Sequence, residues 1–201
     1  NDAQAAPGVL GIFTRADLDA DGVGLFTTAF PFKRADGEDM HRPPFGLLAG
    51  GSVNYVGDPV VAVIAETRLQ AEDAADAVNA LEPGAPQVWP EVPGNAAFLV
   101  ERGDKEATDA VFENAPHVTA LDLRITRVTA NPIEPRAAIG SYDAETGHFV
   151  LRTGTQTPHR LLATLSDDIL HITPETLRVI SPDVGGAFGM KNSPYPEYAL
   201  V

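Results

Sequence analysis

The chain has 201 residues, 44% of them apolar and 21% charged, with a formal net charge of −14 and no cysteine. Such a composition suits a folded protein with one large domain or two small ones, and its acidity argues against nucleic acid and anionic membranes as partners. The lack of thiols excludes disulfides, thiolate metal sites, iron–sulfur ligation and cysteine nucleophiles within this stretch.

No apolar run reaches membrane-span length, so no membrane span is expected. No signal peptide is visible, and a cytoplasmic location is the expectation. The sequence opens at Asn1 without Met and stops in the apolar run Tyr198-Ala199-Leu200-Val201. Runs of that kind belong inside an element, so the sequence is expected to continue beyond both ends.

In chain order, Pro7-Gly8 leads into the apolar residues 9–14, which read as a strand. Residues 17–51, rich in Gly, Pro and Asp, read as a long loop region with little regular structure. Residues 60–65 form a continuous apolar run of strand length. Thr67 then opens a helix. It stands at capping-box spacing from Gln70, and Leu69, Ala74, Ala77 and Val78 supply its apolar stripe. Residues 81–95 read as a linker, and a second helix is expected from Asp104 to Asn114. Residues 118–128 alternate, with Thr119, Leu121, Leu123 and Ile125 on one phase, which predicts a long half-buried strand. Residues 137–142 and 148–152 predict a hairpin turning at Gly147. Thr157-Pro158 starts another helix, with Leu161, Leu162, Leu165 and Ile169 on its buried face. Thr173-Pro174 repeats the start signal, and residues 177–180 form a last strand that Ser181-Pro182 ends. Strands, capped helices and many loops together indicate an α+β or α/β unit.

Three segments could carry chemistry. Asp183-Val184-Gly185-Gly186-Ala187-Phe188-Gly189-Met190-Lys191 follows a strand, where glycines let the backbone approach a ligand and present its N–H groups. Its spacing fits neither a P-loop nor a dinucleotide fingerprint, and taken alone it is more commonly a plain strand-to-helix turn. Gln156, in Thr155-Gln156-Thr157-Pro158-His159, sits between a strand and a helix, where an amide could donate to a bound oxygen or simply bond the local backbone. In Asn131-Pro132-Ile133-Glu134-Pro135-Arg136, two prolines stiffen an extended stretch in which Glu134 and Arg136 are placed to form a structural ion pair. Asp17-Leu18-Asp19-Ala20-Asp21-Gly22 opens like a calcium loop, but the twelfth position is Thr28 rather than Glu, so calcium is not expected. The five histidines show no metal-site spacing, and no serine-hydrolase elbow is present.

The order of the segments resembles a known family more closely than any segment does alone. Pro7-Gly8-Val9-Leu10, Tyr55-Val56-Gly57-Asp58-Pro59-Val60, Ala65-Glu66-Thr67 and Gln70-Ala71-Glu72-Asp73-Ala74-Ala75 resemble the α/β-hammerhead domain of molybdenum hydroxylase large subunits. These are the xanthine dehydrogenase, aldehyde oxidase and carbon monoxide dehydrogenase family. The three chemical segments resemble the start of its molybdopterin-binding region. The resemblance covers nearly the whole chain. It implies an α+β fold with a hammerhead domain over 1–95 and a truncated molybdopterin-binding domain over 96–201.

It also implies a molybdenum–molybdopterin cofactor in the complete subunit, with iron–sulfur clusters and FAD on partner domains or subunits of an oligomeric complex. The substrate would be a small molecule: an aldehyde, an N-heterocycle or carbon monoxide. Residue by residue, Gln156 matches the glutamine whose amide faces the metal's oxo ligand. Gly186, Phe188 and Gly189 match the loop whose backbone contacts the cofactor. Glu134 matches a recurrent position and is given a structural role. No catalytic residue is assigned, because the family's catalytic Glu lies downstream of this stretch, so the fragment alone should be inactive. The sequence departs from the pattern at Asn192, where purine-oxidising members have Glu, at Ala187, commonly Gly, and after Ala80, where a strand is usual. The alternative is a non-catalytic scaffold or assembly protein that keeps the fold.

Overall fold

The computed structural model describes residues 2–27, 30–78 and 92–201. The departure after Ala80, where the family usually has a strand, and most of the 81–95 linker lie outside the described residues. Among the described residues the fold is a mixture of helices and two small sheets, consistent with α+β. The chain forms two units, one of Asn1–Thr28, Pro43–Val88 and Ala130–Val201, the other of Ala29–Arg42 and Trp89–Thr129.

In the larger unit β1 (Val9–Phe13) pairs antiparallel with β2 (Ala62–Ala65), with an irregularity between Val9 and Gly11. Helix α1 (Arg15–Ala20) lies where only loop was expected. The Thr14 N–H and hydroxyl both donate to the Asp17 carboxylate at 2.7 Å, closing the first turn and holding the Asp17 pKa below its usual value. The Asp-rich stretch is therefore committed to a helix start. Among the described residues, no cluster of three His, Asp or Glu could hold a metal ion.

Helix α2 (Arg68–Asp76) begins as expected at Thr67, whose hydroxyl accepts the Gln70 N–H. The reciprocal half of the box differs: the Gln70 side chain takes the Thr67 hydroxyl proton at 2.9 Å. Ala74 is buried, but Leu69 is 67% exposed. Five positions at about 100° each place Leu69 well off the Ala74 face, so the two do not share a stripe.

Strands β3 (Ala138–Asp143) and β4 (His148–Thr153) form the expected hairpin, turning through Gly147 at φ +71°. A crossover follows, made of α4 (Pro158–Ala163) and a π-helical segment, Thr164–Leu170. It returns the chain to β5 (Leu177–Ile180), which pairs parallel with β4. Leu161 and Leu165 pack the crossover onto Leu151 and Leu177 of the sheet, with Tyr198 from α5 (Glu197–Leu200) completing the cluster. A second cluster joins Phe26, Leu47 and Ile169.

In the smaller unit Lys33 bridges to Asp39 and Leu99, and Phe32 stacks on both Phe30 and Phe98. Helix α3 (Lys105–Asn114) starts where expected, with the Asp104 carboxylate accepting the Ala107 N–H at 2.9 Å. The strand expected over 118–128 does not form: the segment pairs with no other strand among the described residues, and Leu121, Leu123 and Ile125 are exposed. Alternation describes a chain that has a neighbour to pair with, and a ladder cannot form without one.

Candidate functional site

Because β4 and β5 run parallel side by side, the loops that follow them leave the same edge of the sheet. After β4 comes Gly154-Thr155-Gln156-Thr157, and after β5 comes the glycine loop. The Ser181 hydroxyl stitches the two exits together, accepting the Thr155 N–H and donating to the Thr155 carbonyl, each at 3.1 Å. Further along, the Lys191 carbonyl accepts the Gln156 N–H at 3.0 Å and the Thr155 hydroxyl at 3.2 Å. Thr157 is the N-cap of α4 by position, ahead of Pro158 at the first turn. Its hydroxyl is turned instead onto the Asn192 carbonyl at 3.2 Å.

The third segment completes the arrangement. One Glu134 carboxylate oxygen, Oε2, accepts the Gly185 N–H at 2.7 Å and the Lys191 ammonium at 2.5 Å. These two donors, the ammonium first, hold the Glu134 pKa below the usual carboxylate range. The expected Glu134–Arg136 pair is not formed. Arg136 bonds Glu197 at 2.8 Å and lies over the Tyr195 ring. Residues two apart on an extended backbone project to the same face only when the strand is regular. Pro135 intervenes here, and each charge finds its partner on a different element.

Within the glycine loop, Gly186, Phe188 and Gly189 have φ of +98°, +50° and +87°. A Cβ added at Gly186 would lie 3.2 Å from Pro132 Cβ, and one at Gly185 would lie 2.8 Å from Glu134 Cβ, so the loop is seated against the 131–136 segment. At Gly189 a Cβ would meet nothing, which leaves open space on that side. Phe188 carries a bulky side chain in left-handed backbone, with its ring 81% exposed. Gln156 is exposed, and among the described residues its amide takes no hydrogen-bond partner.

All four residues singled out from the sequence thus lie on two loops held together by one backbone bond and by the hydroxyls of Ser181, Thr155 and Thr157. The sequence reading does not single out Lys191, although it is 1% exposed and at the junction of all three segments. Its partner Glu134 lies 57 positions away, so no local spacing marks it.

Comparisons with known proteins agree with this architecture. Residues 1–81 match the model of the aldehyde oxidase and xanthine dehydrogenase a/b hammerhead domain, and residues 88–201 match that of the molybdopterin cofactor-binding domain. The chain therefore belongs to the molybdenum hydroxylase large-subunit family, of which it represents the hammerhead domain and the beginning of the cofactor-binding domain. It is 34% identical to the nicotine 6-hydroxylase large subunit of Paenarthrobacter nicotinovorans, matching 99% of this chain and 25% of that protein. It is 30% identical to the carbon monoxide dehydrogenase large chain of Hydrogenophaga pseudoflava, over 99% of this chain and 26% of that one. Quinoline 2-oxidoreductase from Pseudomonas putida 86 superposes with a TM-score of 0.79 at 30% identity, covering 100% of this chain and 26% of that structure. The chain thus spans about a quarter of the length of these relatives.

The residues present fit an anionic, oxygen-rich cofactor. The Gly185 and Gly186 N–H groups are taken by Glu134 and the Val184 carbonyl, but those of Phe188 and Gly189 carry no bond among the described residues, Gly189 borders open space, and the Gln156 side-chain amide is available as a donor.

Proposed function

We propose that Gln156, Gly186, Phe188 and Gly189 form part of a molybdenum–molybdopterin site in a complete large subunit. That subunit would oxidise aldehydes, N-heterocycles or carbon monoxide, using oxygen from water. The observation that carries the reading is the shared Lys191 carbonyl, which draws the Gln156 loop onto the end of the glycine loop. When bound, the cofactor supplies the redox chemistry. The chain's own contribution is positional: the Gln156 side-chain amide offers an N–H donor, and the main-chain N–H groups of Phe188 and Gly189, the latter beside open space, offer further donors at the bend that Gly186 shapes. The family's general base lies on a part of the subunit outside this sequence, so these 201 residues bind and orient but do not turn over by themselves.

Iron–sulfur clusters and FAD would sit on partner subunits or domains of a cytoplasmic oligomeric complex. The names of the nicotine, quinoline and carbon monoxide relatives support N-heterocycles or carbon monoxide among the substrates. Asn192, in the place of the purine enzymes' Glu, speaks against a xanthine-like one. Within the chain, the hammerhead domain is assigned to 1–95 and the cofactor domain to 96–201. Among the described residues, no helix is long and apolar enough to cross a membrane.

In the complete protein, Gln156→Ala should keep the molybdenum content and lower turnover by roughly 10²-fold, the usual effect of removing one preorganised donor. Unchanged steady-state rates would contradict the role given to Gln156. Metal analysis and an absorption spectrum of the same protein test the class: a molybdenum-free subunit without flavin or iron–sulfur bands would favour the scaffold reading.

A further inference from the structure

We propose that Glu134 and Lys191 are positioning residues whose ion pair closes the neck of the glycine loop and sets it in register with Gln156, so that both loops address one ligand. The inference rests on the cofactor reading above and extends it to two residues that would not themselves touch the cofactor.

The geometry is specific. Oε2 of Glu134 accepts from Gly185 at the start of the loop and from Lys191 at its end, at 2.7 and 2.5 Å, so one oxygen ties the two ends together. The other end of Lys191, its carbonyl, takes the Gln156 N–H and the Thr155 hydroxyl. Lys191 is therefore a two-sided link, its side chain closing the glycine loop and its main chain holding the Gln156 loop. The Lys191 side chain is 1% exposed, while that of Glu134 is 46% exposed. A buried ammonium is strongly unfavourable without a close counter-charge, so the pair holds Lys191 inward against the pull of hydration. Gly154 lies alongside the pair: a Cβ there would sit in ordinary contact, 3.6 Å from the Lys191 ammonium and 3.7 Å from the Glu134 carboxylate. An ordinary structural ion pair needs neither the shared oxygen nor the link to Gln156.

The test uses the complete subunit in its native complex and compares E134Q, E134A and Q156A. Molybdenum per subunit is followed during dialysis, and kcat and KM are measured separately. E134Q keeps an acceptor for Gly185 but loses the charge that draws in Lys191. It should lose molybdenum several-fold faster than the unmodified protein and lower kcat with little change in KM, because displaced donors can cost up to about 10²-fold. E134A, lacking both the acceptor and the charge, should be worse on both measures; if it does not fold, E134Q carries the test. Retention of molybdenum and kcat in E134Q, with only the melting temperature lowered, would overturn the proposal and leave a plain structural pair. Q156A separates the two levels. If it slows turnover while E134Q changes neither molybdenum retention nor kcat, only the positioning role fails. If neither variant changes anything, the cofactor reading of the site fails with it.

Discussion

Phe188 combines left-handed backbone, at φ +50°, with a ring that is 81% exposed. A non-glycine residue pays about 1–2 kcal/mol for that conformation, and here no burial of Phe188 among the described residues offsets it. Strain kept without a packing return is a mark of a functional loop. Phe188→Gly should therefore change the unfolding free energy by no more than about 1 kcal/mol in either direction, since relief of strain offsets the added freedom of the unfolded chain. A thermal or urea melt checks this, and a much larger loss would make the phenyl ring a structural anchor. Glu134 and Arg136 show what residue-level reading cannot settle. Both were recognised as charged and placed to pair, yet their partners, Lys191 and Glu197, stand 57 and 61 positions away.

Among the elements, the local start signals were the most legible. Asp104 and Thr67 each cap the start of a helix, because capping is chemistry between residues three apart, and at Thr157-Pro158 the proline at the first turn marks the start instead. Helix α3 depends on its cap more than most, since none of its residues is buried. Replacing Asp104 with Ala should cost about 1 kcal/mol of local helix stability, visible as faster amide exchange at Ala107 and through the first turn. Protection equal to that of the unmodified chain would show that the cap bond is idle. Helix α1 was overlooked despite the same kind of signal in Thr14-x-x-Asp17, because the surrounding Asp and Gly read as loop. Segment 118–128 erred in the opposite direction. Its alternation is real, but pairing needs a neighbour that lies outside its own residues.

At the scale of the larger unit, Ile169 has the most consequential position. It is fully buried with Phe26 and Leu47, and its carbonyl accepts the Gly24 N–H at 2.8 Å. Residues about 140 positions apart thus share one cluster, through the π-helical segment on which Ile169 lies. Ile169→Ala should cost about 2–5 kcal/mol, the range for a truncated core aliphatic, and shift the denaturant midpoint for reporters on both sides of the cluster together. A shift confined to one side, or a loss below about 1 kcal/mol, would show that the cluster does not couple them. The same long reach holds the candidate site, where three segments spread over residues 131–192 meet because β4 and β5 are parallel neighbours.

The sequence alone determined the starts of α2, α3 and α4, the β3–β4 hairpin, the last strand and the residues of the three chemical segments. Each is written in a local spacing of hydrogen-bonding or turn-forming residues. The order of those segments was sufficient to suggest the family. Only the tertiary structure decided that the segments meet, that Lys191 is buried at their junction, and that residues 118–128 find no ladder among the described residues. Ion-pair choice, burial and strand pairing depend on what the fold brings alongside a residue, and that is fixed by contacts far away along the chain.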